Sequence, residues 1–161
     1  MARLRSVGFA ALCAFAISSP LALAATVTTT LPVSATVLSV CIVSALPLAF
    51  GNYSGAQNNA TTSVTVTCSL GATYNVGLDA GASTGATVTT RKMTLVTNTL
   101  NYSIARDAAY TQNWGVTIGT DTEPGTGSGL PQAVTVYGRI PAGQFSAAGA
   151  YTDTVGVTVT Y

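Results

Sequence analysis

The residues able to do chemistry in this 161-residue chain are few, and they define it mainly by what they leave out. Histidine is absent, which removes the commonest general base, the commonest metal ligand and the usual partner of a nucleophilic serine. Two carboxylates can drive glycoside hydrolysis, and Asp121 and Glu123 lie close in sequence. Their Gly/Pro-rich surroundings, Glu123-Pro124-Gly125-Thr126-Gly127-Ser128-Gly129, instead suggest solvated charges on a flexible surface loop from Pro124 to Gly129. That stretch lacks the lysine and the strand-to-helix context of a phosphate-binding loop. No acidic run has EF-hand form, so neither a metal nor any other cofactor is expected. Arg106-Asp107 reads as a local ion pair, and Asp153 as an outward-facing surface charge. Trp114, next to Gly115, reads as a cap on the core rather than as a sugar-stacking platform.

Cysteine chemistry is the exception. Cys13 falls in an apolar run, Val7 to Ile17, that follows Arg3 and Arg5 and precedes Ala22-Leu23-Ala24. That order matches a secretory signal peptide over residues 1–24, too short in its apolar part to span a bilayer. An uncleaved anchor is the other reading. Export leaves Cys41 and Cys68, and an oxidising compartment allows them one bridge. Cys41 continues an odd-numbered apolar face and Cys68 ends Ser63-Val64-Thr65-Val66-Thr67-Cys68 on the face of Val64 and Val66, so both thiols are expected to point inward. The alternative is two free buried thiols.

The remaining 137 residues suit one domain with its own core. Four cations, Arg91, Lys92, Arg106 and Arg139, face five acids, for a net charge of −1. This is no footprint for nucleic acid or an anionic membrane. Charged residues make up 7% of the chain, against roughly 25% in an average globular protein, and Thr, Ser, Asn, Gly and Ala supply the surface. The composition is that of an exported scaffold.

Period-two alternation recurs at Val64, Val66, Cys68; at Tyr74, Val76, Leu78; at Leu100, Tyr102, Ile104; and at Val134, Val136, Ile140. No helical stripe interrupts it, and Arg106 to Tyr110 reads as a connection. Short strands between Gly-rich turns predict an immunoglobulin-like β-sandwich, with a closed barrel as the second choice. The two ends of the exported part are strand-patterned as well. Val27, Leu31, Val33, Ala35 and Val37 share one face, and Tyr151, Val155, Val157, Val159 and Tyr161 share another on a last strand expected to run to Tyr161. Ends of this kind are usually polar and frayed unless something ties them down. A sandwich whose last strand lacks a neighbour would leave an apolar groove, and an alternating segment from another copy could fill it. The N-terminal segment could equally fold back in its own chain or form an ordinary first strand.

Several motifs narrow the choice: Cys41-Ile42-Val43, Leu48-Ala49-Phe50-Gly51, Ser63 to Cys68, Tyr102-Ser103-Ile104-Ala105-Arg106-Asp107-Ala108-Ala109, Val136-Tyr137-Gly138-Arg139-Ile140, and Gly149 to Thr154 leading into Val157 to Tyr161. In order and spacing these resemble the spore coat protein U (SCPU) domain family, which includes subunits of archaic chaperone/usher pili of the Csu type. The resemblance implies an incomplete immunoglobulin-like β-sandwich over 37–161, its last strand supplied in trans, preceded by a donor-strand extension over 25–36. It implies no enzymatic activity. Val27, Leu31, Val33 and Ala35 would be the plugs; Tyr151, Val155, Val157, Val159 and Tyr161 would border the acceptor groove and meet the chaperone, with the Tyr161 carboxylate as its anchor. Implied partners are a periplasmic pilus chaperone, an outer-membrane usher and other copies of this or related pilins, at the cell surface, in attachment and biofilm formation. Pro32 departs from the donor pattern, because proline has no N–H for a ladder. A single domain further implies a shaft or minor subunit rather than a two-domain tip adhesin. The rival expectation is a secreted coat or carbohydrate-binding module that completes itself as a monomer.

Overall fold

The computed structural model describes residues 24–161, so the signal-peptide reading lies outside the described residues. The chain divides after Thr36 into two units, of which Val37–Tyr161 is the folded body. That body contains eight strands: β1 (Cys41–Ala45), β2 (Asn58–Cys68), β3 (Thr73–Leu78), β4 (Arg91–Leu95), β5 (Asn98–Ala105), β6 (Glu123–Thr126), β7 (Gln132–Ile140) and β8 (Val157–Thr160). They form a five-stranded sheet, β1-β2-β7-β5-β4, and a three-stranded sheet, β6-β3-β8. Every pairing is antiparallel.

The alternation explains the layers. In β2 the side chains of Val64, Val66 and Cys68 are buried while their neighbours are only partly covered. The same holds for Leu100, Tyr102 and Ile104 in β5, and Tyr74, Val76 and Leu78 supply the facing layer from β3. Such one-sided burial is what a period of two produces when one sheet face meets a core. Trp114 is fully buried in that core, and its indole N–H donates to Val76 O at 2.9 Å; it is no platform for a sugar.

Three local expectations change. Glu123–Thr126 is not a free loop: it is edge strand β6, paired with β3 from Thr73↔Thr126 to Val76↔Glu123. Pro124 is tolerated there because an edge strand has one side that needs no N–H. Asp107 does not pair with Arg106; it accepts from the N–H groups of Thr111 and Gln112, closing the 107–112 turn, and these bonds hold its carboxyl below the usual range. Arg106 instead donates to Thr122 O at 2.8 Å and lies 3.8 Å from Glu123. Finally, residues 24–40 contain no strand, and Val27, Leu31, Val33, Ala35 and Val37 are exposed. The alternation of this segment has no ladder of its own.

One buried cation has, among the described residues, no carboxylate partner within hydrogen-bonding reach. Arg91, on β4, is fully buried, and its guanidinium donates to Leu78 O, Asp79 O, Val88 O and Trp114 O at 2.7–2.8 Å. Burial works against its charge, and four carbonyl dipoles offset that cost while tying β4 to the end of β3 and to the Trp114 loop. Replacing Arg91 with Leu should lower unfolding stability by about 3 kcal/mol or more, because stranded buried carbonyls cost roughly 1–3 kcal/mol each. Urea titration of the purified chain measures this, and a loss below about 1 kcal/mol would mean that the carbonyls find water.

Candidate functional site

Each sheet ends in a strand with one unpaired side. Among the described residues, β1 bonds only to β2, β8 bonds only to β3, and the two approach each other across the sandwich. Between the chain leaving β1, Ala45 to Phe50, and the chain entering β8, Tyr151 to Val157, lies a groove of about 400 Å³. Its lining includes Val64, Leu78, Tyr102, Ile104 and Val136. These are core residues, so the groove opens directly onto the hydrophobic centre. Ile42 (68% exposed) and Leu46 (64% exposed) leave further apolar surface on the β1 side.

The β8 wall is not the unbroken strand expected from Tyr151 onward. Thr152 exchanges two backbone hydrogen bonds with Thr94 of β4, after which the chain crosses to the other sheet, and Val157–Thr160 pairs with β3. A segment that changes sheets cannot keep one ladder throughout, which is why β8 is short. Carboxylates hold the crossing. Asp79 Oδ1 accepts from the N–H groups of Gly81 and Gly156 at 2.9 and 2.8 Å. Asp153 accepts from the N–H groups of Ala82 and Thr154, and the Tyr102 hydroxyl donates to it at 2.7 Å. Asp153 is therefore a half-buried clasp lining the groove, not an outward surface charge. Gly81 makes the clasp possible: it has φ of +85°, and a Cβ there would collide with the Asp153 carboxylate.

Among the residues expected at the groove, Tyr151, Val155 and Val157 line it. Val159 continues their half-buried face, and Tyr161 is exposed and outside the lining. Nothing in the expectation covered the opposite wall, although Leu46, Leu48 and Phe50 alternate just after β1. Leu48 and Phe50 pack over Gly138 of β7, where any Cβ would strike both, and Phe50 meets Tyr102 edge-on at 6.0 Å between centroids. The Leu48-Ala49-Phe50-Gly51 and Val136-Tyr137-Gly138 motifs are thus two sides of one contact. Cys41 and Cys68 are bonded, directly opposite each other with Cα atoms 4.1 Å apart, so the bridge fastens β1 to β2 at the start of this wall.

Asp121 and Glu123 occupy structural positions. Asp121 accepts from Thr117 N–H and Glu123 lies beside Arg106. Neither lines the groove.

The Tyr102–Asp153 bond gives a measurable signature. Burial, then the bond to Asp153, raises the Tyr102 hydroxyl far above its ordinary value of 10.0. A proton held more tightly in the folded state stabilises it fully below the unfolded pKa, and that stability is lost as pH rises past about 10 toward the folded value. Tyr102→Phe should cost about 1.5–3 kcal/mol at neutral pH, as expected for a hydrogen bond to a charged group. The gap from the parent chain should narrow above pH 10, as read from denaturation midpoints across pH 7–11.

Comparison with known proteins agrees with this geometry. The family profile described as Spore Coat Protein U domain matches residues 27–158. Protein U of Myxococcus xanthus is 36% identical over 121 residues, covering 71% of this chain and 67% of that protein. Among solved structures, the chain resembles one from the CsuC–CsuE chaperone–tip adhesion subunit pre-assembly complex of the archaic chaperone-usher Csu pili of Acinetobacter baumannii. The TM-score is 0.58 at 25% identity, with 78% of this chain covered. The chain spans 40% of the length of that solved chain. The match over 27–158 establishes that the protein belongs to the spore coat protein U domain family.

Proposed function

We propose that the chain is a structural pilin of an archaic chaperone/usher pilus, polymerising by donor-strand exchange and serving surface attachment and biofilm formation. The observation that carries this reading is the open groove, in which core side chains lie between two unpaired strand edges. An edge with free N–H and C=O groups over an apolar floor is a template for one more strand. The N-terminal segment 25–36 has the matching chemistry: an uncharged, alternating strand pattern with exposed aliphatic side chains.

On this reading Val27, Leu31, Val33 and Ala35 of one copy enter the groove of the next, and each inserted strand adds ladder hydrogen bonds. Burying Val27, Leu31 and Val33 contributes about 5–9 kcal/mol, at roughly 1.5–3 kcal/mol per large aliphatic side chain. The Pro32 side chain faces away from the floor by parity, and its nitrogen, which has no N–H to give, must lie where no acceptor faces it or at a bulge for the donor assignment to hold. Before assembly, a periplasmic chaperone covers the same rim, from Tyr151 through Val155, Val157 and Val159 to Tyr161, and an outer-membrane usher directs the exchange. The role is that of a repeating scaffold unit rather than of an enzyme, and residues 37–161 act as the pilin domain.

Deleting residues 25–36 separates this reading from a self-completed coat or carbohydrate-binding module. A pilin lacking the segment should keep its chaperone-bound yield and form no fibres by electron microscopy. A self-completed monomer should lose its own stability. Leu31→Asp in the full chain should likewise abolish fibres while leaving the denaturation midpoint of the monomer unchanged. A drop in that midpoint would show that the segment folds back on its own body.

A further inference from the structure

A second cleft, of about 910 Å³, opens between the chain from Leu48 to Gly55 and the chain from Gln144 to Tyr151. It shares Leu48, Phe50, Met93 and Tyr151 with the groove, so the two adjoin. No charged side chain lines it. Phe145 stands at its rim, 94% exposed. The amide of Gln144 is not free for a polar ligand, because it is bonded to both Asn101 N–H and Asn101 O. The lining mixes Leu48, Phe50, Met93 and Leu100 with Asn52 and Ser54 and carries no charge, so the cleft suits an uncharged extended chain rather than an ion.

A second unexplained apolar feature lies just before β1. Val37 and Leu38 are 89% and 76% exposed, in an uncharged stretch. Val40 is already fixed, since its N–H donates to Ser69 Oγ and its carbonyl accepts from Ser69 N–H. Only residues 37–39 remain free between the plug segment and the body. Extended, three residues span about 10 Å.

We infer that the second cleft receives Val37 and Leu38 of the neighbouring copy, whose donor strand fills the groove. This rests on the donor-strand reading and adds a direction and a second contact to it. All six strand pairings in the body are antiparallel, and antiparallel pairing is also the more stable kind. A donor antiparallel to β8 runs against the Val157-to-Thr160 direction. Its C-terminal end therefore leaves the groove at Tyr151, where the second cleft begins. Val37 and Leu38 follow directly, and the short tether to Val40 holds them there at high effective concentration. The Phe145 rim of one copy then abuts the β1 end of the next.

Cysteine pairing in fibres of the full chain tests this. Val37→Cys and Leu38→Cys are each combined with Phe145→Cys, and a Val33→Cys/Val157→Cys variant reports groove filling independently. The expected result is a ladder of covalent multimers on a non-reducing gel from at least one Phe145→Cys combination, collapsing to monomer on reduction, with none from the single variants. A ladder from Val33→Cys/Val157→Cys but from neither Phe145→Cys combination would overturn the second contact and leave donor-strand exchange standing. A ladder from Val27→Cys with Phe145→Cys would mean that the strand runs the other way, which also overturns it. Absence of fibres and of every ladder would remove the donor-strand reading, and this inference with it.

Discussion

An apolar core needs cover on every side, and in this sandwich a groove between residues 45–50 and 151–157 runs along one side of it. Among the described residues β1 and β8 each have one unpaired edge, and the buried side chains of Val64, Leu78, Ile104 and Val136 form the floor of the groove beside them. Uncovered aliphatic surface and unpaired N–H and C=O groups are each costly in water, and one extended strand relieves both together. Most other features of the body keep that gap in a fixed shape. The bridge between Cys41 and Cys68 secures one wall, and Leu48 and Phe50, seated over Gly138, continue it.

The other wall needs more elaborate support because its chain changes sheets. Between Thr152, bonded to Thr94, and Val157, paired with Leu78, no ladder is available. The carboxylates of Asp79 and Asp153 replace it, accepting four backbone N–H groups and the Tyr102 hydroxyl within a few residues of one another. Arg91 reinforces the same region by taking the carbonyls of Leu78 and Asp79. In a chain with only five acids, two are spent on holding a single crossing.

The parts of this architecture that depend on period-two patterning were legible in the sequence. The core faces of β2, β3, β5 and β7 follow it residue by residue, because burial on one face is what selects alternating Val, Leu and Tyr. Elements set by tertiary context were not. β6 contains Pro124 and Gly125, which local propensity assigns to a turn, yet the exposed side of β3 makes an edge strand of it. Asp153 shares the parity of Tyr151, Val155 and Val157, so the alternation already turns it inward toward Tyr102, and only its charge had suggested the surface. Nothing local to Arg91 announces its burial, since three of its four carbonyl partners come from the distant Leu78-Asp79 and Trp114 segments. For the groove, the Tyr151, Val155 and Val157 wall was readable from its alternation. Leu46, Leu48 and Phe50 carry the same alternation on the opposite wall, interrupted by Pro47.

The lining of the groove has one further consequence. Its single formal charge, Asp153, is already engaged by Ala82, Thr154 and Tyr102, and residues 24–40 carry none. Contact between such surfaces gains nothing from long-range attraction and loses nothing to counterions. On the donor-strand reading, a joint of this kind would lack electrostatic screening as a control, and its partners would have to be brought together by something other than their own fields.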